Sequence, residues 1–126
     1  MTELTLKGCS ILVVEDEYLL AEELSAALAA ESVQVVGPAA TVEQGTAFLR
    51  DTPRLNGAIL DVNLRGEPVF DLADMLAEQG VPFMFTTGYD ASIIPDRFTH
   101  VARYEKPLRM SQIIKTMGQL SYDMKV

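Results

Sequence analysis

Five residues with chemically useful side chains stand at or just after the ends of short apolar runs. These residues are Glu15, Asp16, Asp61, Thr87 and Lys106, and Pro107 follows the last of them. The runs cover residues 11–14, 58–60, 81–85 and 101–102. If each run is a strand of one parallel sheet, the carboxyl ends of these strands meet at one edge. We therefore expect three carboxylates, a hydroxyl and an ammonium group to converge there.

Clustered carboxylates repel one another unless a cation lies between them. An oxygen-only set, without histidine or cysteine, suits Mg2+ or Mn2+ better than zinc. Bound Mg2+ and Lys106 would together balance the three carboxylate charges. If Asp61 attacks a phosphoryl donor, it exchanges its single charge for a group with about two negative charges at neutral pH. The pattern thus predicts a site that binds a divalent cation and accepts a phosphoryl group.

Thr87 offers a hydroxyl that could donate a hydrogen bond to a phosphoryl oxygen, and Gly88 after it leaves room for the backbone to approach. A bound phosphoryl group would draw Thr87 inward. Each of the five residues alone would be an ordinary loop residue in most proteins. Their order along the chain, each at a strand end, is what makes the set specific.

Length and composition restrict the class of protein. A chain of 126 residues makes one ordinary domain, and its 48% apolar and 22% charged residues are typical of a folded protein. No apolar stretch approaches the roughly 20 residues that a membrane helix needs. A formal charge of -8 disfavours binding to nucleic acid or to an anionic membrane. Because the N-terminus lacks a secretory pattern and Cys9 has no disulfide partner, we expect a cytoplasmic protein in which Cys9 is a buried apolar side chain.

Apolar runs of strand length alternate with helix-like segments five times, which is typical of a parallel sheet with helices on both faces. Residues 11–14 and 83–85 are solidly apolar, whereas residues 33–36 include Gln34 and residues 101–104 include Arg103. Buried parallel strands are apolar on both faces, so the second and fifth strands are the better edges. We predict a doubly wound, three-layer α/β sandwich with the strand order 2-1-3-4-5. The residues that follow strands one and three would emerge at its switch point.

Three of the helical segments have the apolar spacing of helices that pack on a core. These stripes comprise Leu20, Leu24, Ala27 and Leu28, then Val69, Leu72, Ala73 and Leu76, and finally Ile113, Ile114, Met117 and Leu120. The second helix is expected to begin at Thr41, where Gln44 completes a capping box, and to end before Pro53. The fourth helical segment, residues 90–98, contains Pro95 and few apolar anchors, so we expect it to be short or partly disordered.

Four short stretches carry a resemblance to a known family. They are Ile11-Leu12-Val13-Val14-Glu15-Asp16-Glu17, Leu60-Asp61-Val62-Asn63-Leu64, Thr86-Thr87-Gly88-Tyr89 and Glu105-Lys106-Pro107. In this order they resemble the receiver domain of two-component response regulators, over about residues 10–120. The resemblance implies the flavodoxin-like (CheY-like) fold of five βα units. It also implies that Asp61 is the phosphoacceptor of a signalling protein that catalyses only its own phosphorylation and dephosphorylation.

The same resemblance implies roles for the residues around Asp61. The expected metal ligands are Glu15, mostly through water, Asp16, Asp61 and the backbone carbonyl of Asn63. Lys106 would contact the phosphoryl group, as would Thr87. The family usually has a cis peptide before the proline that follows this lysine, so the Lys106–Pro107 bond is expected to be cis.

The chain departs from the family at the aromatic residue that usually relays the signal. Arg103 occupies that position, and Tyr104 follows one place too late, where a strand presents its opposite face. The segment 82–89 resembles the motif of a receiver subgroup nicknamed FAT GUY, which lacks the aromatic switch. Thr86 stands where the nickname has alanine. Tyr89, Arg103 and Tyr104 are therefore candidates for a regulatory role.

Receivers of this subgroup often work with sensor histidine kinases of the HWE or HisKA2 type, which are the expected partners. We expect the receiver domain to cover residues 8–122, with short tails at 1–7 and 123–126 and no output domain. Output would then pass through an effector or a phosphotransfer protein, without direct contact to nucleic acid or membrane. The family's usual signalling surface, over the fourth helix, fifth strand and fifth helix, would carry that contact.

Three other interpretations stay open. A phosphatase of the haloacid dehalogenase kind also uses a nucleophilic Asp with Thr, Lys and Mg2+, but it needs a second Asp where Asn63 stands. A flavodoxin-type FMN-binding module would need a first loop rich in Ser, Thr and Gly, and the acidic residues 15–17 would repel its phosphate. The third is a receiver that acts as a phosphorylation-independent docking module. His100, in a polar loop, is expected to lie at the surface without a function.

Overall fold

The computed structural model describes residues 5–88 and 94–125, with side chains up to residue 121. Seven strands, four α-helices and a short 3-10 helix are formed in this part of the chain. The strands are β1 (Ser10–Val14), β2 (Gln34–Ala39), β3 (Gly57–Asp61), β4 (Asn63–Leu64), β5 (Glu67–Pro68), β6 (Phe83–Thr87) and β7 (Arg103–Glu105). The helices are α1 (Tyr18–Ala30), α2 (Val42–Asp51), α3 (Phe70–Glu78) and α4 (Met110–Lys125), with the 3-10 helix at Asp96–Phe98.

Five strands form one parallel sheet in the order β2-β1-β3-β6-β7. The short strands β4 and β5 form a separate antiparallel hairpin. Counted along the main sheet alone, the order is 2-1-3-4-5, which confirms the predicted doubly wound fold. The strands β1, β3 and β6 are almost wholly buried, whereas β2 and β7 are partly exposed at the two edges, as their mixed composition predicts.

Alternation of side chains along the central strands divides the core into two clusters. The first cluster joins Leu12 and Phe85 to side chains of α2 and α3. The second joins Ile11 and Met84 to side chains of α1 and α4. Every residue of the three predicted helical stripes lies in or against one of these clusters, except the half-buried Ala27. Helices therefore cover both faces of the sheet.

Cys9 lies in the second cluster and is only 2% exposed, so its prediction as a buried apolar side chain is confirmed. Leu6 is buried in the same cluster. His100 is exposed, as expected for a polar loop. Within residues 5–88 and 94–125, none of the helices combines the length and the apolar character that crossing a membrane requires.

Thr41 caps α2 as predicted. Its side-chain oxygen accepts the backbone N–H of Gln44 over 3.1 Å. The Gln44 side chain reaches back to accept the N–H of Ala40 over 2.8 Å, one residue earlier than in the usual capping box. The helix ends at Asp51, before Pro53. These bonds fix the direction in which α2 leaves the edge of the sheet.

The last strand differs from its expected bounds, and the fourth helical segment is short, as expected. The last strand of the sheet begins at Arg103, because the N–H of Val101 donates to the carbonyl of Phe98 over 3.0 Å and so completes the turn of the 3-10 helix. Of the expected fourth helical segment, the described part forms only that 3-10 helix at Asp96–Phe98. Residues 89–93 lie outside the described part of the chain.

Phe98 attaches the 3-10 helix to the first core cluster. Its ring packs against three other aromatic rings at centroid distances of 5.6 to 5.9 Å, those of Phe70, Phe83 and Phe85. On its outer side, the guanidinium of Arg97 lies 4.7 Å from the Phe98 ring centroid. The same guanidinium donates two hydrogen bonds, of 2.9 and 3.0 Å, to the carboxylate of Asp74 on α3. The segment is thus held by both apolar and charged contacts.

Candidate functional site

Three carboxylates converge where β1 and β3 end. Asp61 is the last residue of β3, and Glu15 and Asp16 directly follow β1. The two strands pair so that Val14 lies opposite Leu60, which brings their carboxyl ends to one edge. One oxygen from each carboxylate lies within 4.8 Å of an oxygen from each of the other two. Glu15 and Asp61 are only 2% and 3% exposed.

Lys106 reaches this cluster from the segment after β7. Its ammonium nitrogen lies 2.9 Å from Asp61 Oδ2 and 3.2 Å from Glu15 Oε2. Glu17, whose side chain is 63% exposed, lies 3.6 Å from the same nitrogen. The backbone N–H of Lys106 donates to the carbonyl of Thr87 over 2.8 Å. The Lys106–Pro107 peptide bond is cis, as expected.

The closely spaced charges and the burial of the cluster shift the pKa values of Glu15 and Lys106. Burial, together with the neighbouring Asp61 carboxylate, raises the pKa of Glu15 to about 8. The backbone N–H of Glu17, which donates to Glu15 Oε2, and the charge of Lys106 offset part of this shift. Burial disfavours the charged form of Lys106, but the hydrogen bond with Asp61 and the carboxylate charges raise its pKa above the ordinary value. Both shifts are expected where negative charge is concentrated beside a single cation.

The donor set of the cluster fits a divalent cation. Glu15 Oε1 is buried and has no hydrogen-bond partner among the described residues. Such an oxygen normally finds a proton donor, water or ion, because an unpaired buried polar atom costs free energy. Asp61 accepts from Lys106 at Oδ2 and from the backbone N–H of Asn63 at Oδ1, over 3.1 Å. Carboxylate oxygens are the ligands that Mg2+ prefers in proteins, so this acidic cluster could hold it.

Thr87 closes the β6 side of the site. It ends β6 and is 2% exposed, while Thr86 beside it lies opposite Asp61 in the register. A cavity of about 700 Å3 lies over the cluster. Its wall includes Asp61, Thr87, Gly88, Lys106 and the apolar side chains of Leu19, Leu20 and Leu108. This volume falls within the range of small-molecule sites, about 300–1,000 Å3, so a phosphoryl group and part of its donor would fit.

The β4–β5 hairpin contributes a residue that the sequence analysis did not single out. Arg65 lies in its turn, and its Nε is 3.6 Å from Asp16 Oδ2. The Arg65 side chain is 81% exposed, whereas that of Asp16 is 13% exposed. A cation four positions after Asp61, directly before a glycine, is the signal in the sequence that could have indicated it.

The three regulatory candidates have different surroundings. Tyr89 lies outside the described residues. Arg103 is exposed at the start of β7. Tyr104 lies opposite Thr86 in the register and packs against the second core cluster, and its hydroxyl is hydrogen-bonded to that of Thr116 on α4. Because successive side chains of a strand alternate, Tyr104 and Arg103 point to opposite faces of the sheet.

Comparison with solved structures finds several that are similar to more than nine-tenths of this chain. SdrG from Sphingomonas melonis Fr1 is 34% identical, with 94% of this chain and 98% of that chain covered and a TM-score of 0.79. The PhyR response regulator REC domain of Erythrobacter litoralis is 24% identical, with 92% of each chain covered and a TM-score of 0.79. A CheY-like response regulator receiver domain protein from Methanospirillum hungatei JF-1 is 22% identical, with 93% and 96% covered and a TM-score of 0.82.

A scan of protein-family models gave no match, and neither did a search of curated proteins. The full-length similarity to SdrG and the shared fold of the receiver structures nevertheless agree with one another and with the arrangement of the acidic edge. The chain belongs to the receiver domains of response regulators. Receiver domains are signalling proteins, which work together with partners such as kinases or effectors.

Proposed function

We propose that this chain is a single-domain response regulator that accepts a phosphoryl group on Asp61 from a sensor histidine kinase, in a reaction that depends on Mg2+ or Mn2+. One observation carries the proposal: the Lys106 ammonium lies between Asp61 and Glu15, at 2.9 and 3.2 Å, beside three carboxylates whose oxygens lie within 4.8 Å of one another. A half-buried lysine placed in this way neutralises charge on the oxygens that would receive a phosphoryl group.

The transfer itself is a displacement at phosphorus. A carboxylate oxygen of Asp61 attacks the phosphorus atom, an O–P bond forms, and the bond from phosphorus to the donor nitrogen or oxygen breaks with its electron pair on the donor. Glu15, Asp16, Asp61 and the backbone carbonyl of Asn63 would hold the metal ion. When bound, Mg2+ would supply positive charge to the phosphoryl oxygens during transfer.

Two further residues would hold the transferred group. Lys106 is already within ion-pair distance of Asp61 and would pair with a phosphoryl oxygen on it. Thr87 would donate its hydroxyl to another phosphoryl oxygen. The backbone N–H of Lys106 donates to the carbonyl of Thr87, so an inward movement of Thr87 would also move Lys106.

The proposal extends to partners and boundaries. The receiver domain would extend beyond the expected residues 8–122, because Leu6 is buried in the second core cluster and α4 continues to Lys125. Its kinase would be of the HWE or HisKA2 type, and its output would pass to an effector or phosphotransfer protein through protein contacts. The surface formed by the 3-10 helix, β7 and α4 corresponds to the family's usual signalling surface and would carry that contact. A cytoplasmic location stays a prediction from the sequence.

The decisive experiment measures intact mass after incubation with Mg2+ and acetyl phosphate. We expect one phosphoryl adduct on the wild-type protein and none on Asp61→Asn or in the presence of a chelator. Asp51→Asn, at an exposed carboxylate at the end of α2, is the matched control and should still be modified. Absence of any adduct, with the chain folded, would contradict the proposal and favour a phosphorylation-independent docking module.

The phosphatase alternative has weaker support. Asn63 stands where a haloacid-dehalogenase-like enzyme needs a second Asp as acid and base, and an amide cannot transfer protons in that role. Its side-chain oxygen also accepts the N–H of Gly66 over 2.6 Å, so it serves the hairpin turn. We expect no more than one phosphoryl equivalent per chain when a phosphoester is the substrate, and sustained turnover would reverse this conclusion.

A further inference from the structure

Arg65 is held at the edge of the site by a well-anchored turn. The hairpin is closed by the bond from Gly66 N–H to Asn63 Oδ1, at 2.6 Å, and by the bond from Val69 N–H to the Val62 carbonyl, at 3.1 Å. These bonds fix the backbone of the turn, whereas the Arg65 side chain is 81% exposed. The backbone of Arg65 is therefore held in place, while its exposed guanidinium can change position.

The backbone of the turn is unfavourable for arginine. Arg65 has φ of 54° and Gly66 has φ of 91°, so both central residues of a two-residue hairpin have positive φ. Such turns prefer Asn, Asp or Gly at the first position, since a residue with a long side chain is strained there by about 1 kcal/mol or more. The turn conformation thus does not explain why residue 65 is an arginine, whereas the ion pair of Arg65 with Asp16 does.

The net formal charge around Asp61 falls from zero to about minus one during the proposed reaction. With a divalent cation bound, the three carboxylates are balanced by the cation and Lys106. Phosphorylation replaces one negative charge on Asp61 with about two, which leaves the site one positive charge short. Glu17, 3.6 Å from the Lys106 ammonium, adds to this shortage although it is 63% exposed. Arg65 is the guanidinium that forms an ion pair with the acidic cluster among the described residues.

Arg65 and a metal ion also compete for one carboxylate. Asp16, which pairs with Arg65, is a member of the acidic cluster that would hold the cation. Neutralisation of Asp16 by the cation weakens its attraction for the guanidinium. A phosphoryl group on Asp61 would present the freed guanidinium with a doubly charged partner of the geometry that arginine binds through two parallel hydrogen bonds.

We propose that Arg65 exchanges partners, pairing with Asp16 in the metal-free protein and with the phosphoryl oxygens on Asp61 once a divalent cation has taken over Asp16. This inference rests on the proposed phosphoacceptor function. It makes Arg65 a residue that weakens metal binding in the resting protein and strengthens retention of the phosphoryl group afterwards. Loss of Arg65 should therefore strengthen metal binding and weaken phosphoryl retention, whereas a loss of structure would weaken both.

The test uses Arg65→Gln, which keeps a long side chain in the same turn, and Arg65→Lys, which keeps the charge. Arg54→Gln is the matched control, since Arg54 is exposed after α2 and the substitution removes the same charge. Two quantities are measured by NMR titration: the dissociation constant for Mg2+ alone, and the half-saturating concentration of beryllium fluoride, a phosphoryl mimic, at saturating Mg2+. Circular dichroism spectra establish that each variant is folded.

We expect Arg65→Gln to lower the Mg2+ dissociation constant about two- to fivefold and to raise the half-saturating beryllium fluoride concentration about two- to fivefold, the range of an exposed ion pair. Arg65→Lys should fall between the wild type and Arg65→Gln. Two shifts in the same direction, no shift, or equal shifts in Arg54→Gln would overturn the exchange. If the wild type binds neither probe, the phosphoacceptor function fails as well; if it binds both, only the role of Arg65 is at issue.

Discussion

The hydroxyl groups of Tyr104 and Thr116 are hydrogen-bonded to one another, which joins β7 to α4. Tyr104 is half-buried against the second core cluster, on the opposite face of the strand from Arg103. Tyr104, which follows the position of the usual aromatic switch residue, is thus bonded to α4, and a movement of its ring would require this hydrogen bond to break.

Tyr104→Phe and Thr116→Val should each lower the free energy of unfolding by about 1 kcal/mol, the usual contribution of such a bond. The double variant should lose less than the sum, because the second substitution has no bond left to remove. Urea unfolding of the four proteins gives the coupling energy directly. Strictly additive losses would mean that the two hydroxyls do not depend on each other. Phosphorylation of Asp61 by acetyl phosphate should be unchanged in each variant.

The carboxylate cluster should make the protein less stable without a metal ion than with one. At about 100 times its dissociation constant, Mg2+ should raise the free energy of unfolding by about 2.7 kcal/mol. In chelator, Asp61→Asn should be more stable than the wild type by about 1 kcal/mol, because it removes the charge that, together with burial, disfavours the ionised form of Glu15 and leaves Lys106 to pair with that carboxylate. Urea unfolding with Mg2+ or chelator tests both. A wild type more stable than Asp61→Asn in chelator would show that the Lys106–Asp61 pair outweighs the repulsion.

Phe98→Ala should destabilise the protein by about 3 kcal/mol or more, since it removes a buried ring that is 3% exposed and packs against three others. Phe48→Ala is the control, because Phe48 is 36% exposed on α2 and should cost clearly less. Equal losses, measured by urea unfolding, would contradict the importance given to the aromatic contacts. Phe98→Leu should recover part of the loss.

Gly45→Ala should be destabilising although alanine favours helices. A Cβ at Gly45 would lie 2.7 Å from Leu72 Cδ2 and 3.3 Å from Val14 Cγ2, so either the fully buried Leu72 side chain or α2 itself would have to shift. Overpacking of this kind costs about 1–3 kcal/mol, against a helix-propensity gain of about 1 kcal/mol. We expect a net loss of about 1 kcal/mol. In a Leu72→Val background the loss should shrink, and an unchanged loss would exclude the steric explanation.

The main sheet could be predicted because its signals are local. The solid apolar runs of β1 and β6 identify central strands, and Gln34 and Arg103 mark the edges. The start of α2 was equally readable from Thr41 and Gln44, which form the predicted bond. Since parallel strands end at a common edge, the same reasoning anticipated the convergence of the site carboxylates.

The features that the sequence did not indicate are very short elements and contacts between residues that are distant along the chain. The strands β4 and β5 have two residues each, too few for any periodicity, so the hairpin and Arg65 were missed. The Tyr104–Thr116 bond depends on how α4 docks against β7, which no local pattern encodes. β7 begins later than expected because the backbone N–H of Val101 donates to the carbonyl of Phe98 and is not available to the sheet.

Cys9 is the only cysteine of the chain and lies in the second core cluster, 2% exposed. A thiol reagent can reach it only when the packing of this cluster opens, including its cover by the segment that contains Leu6. The rate at which Cys9 is alkylated under native conditions therefore measures the frequency of that opening. A cysteine introduced on the surface would be labelled long before Cys9, so single-site fluorescent labelling needs no prior removal of the native thiol.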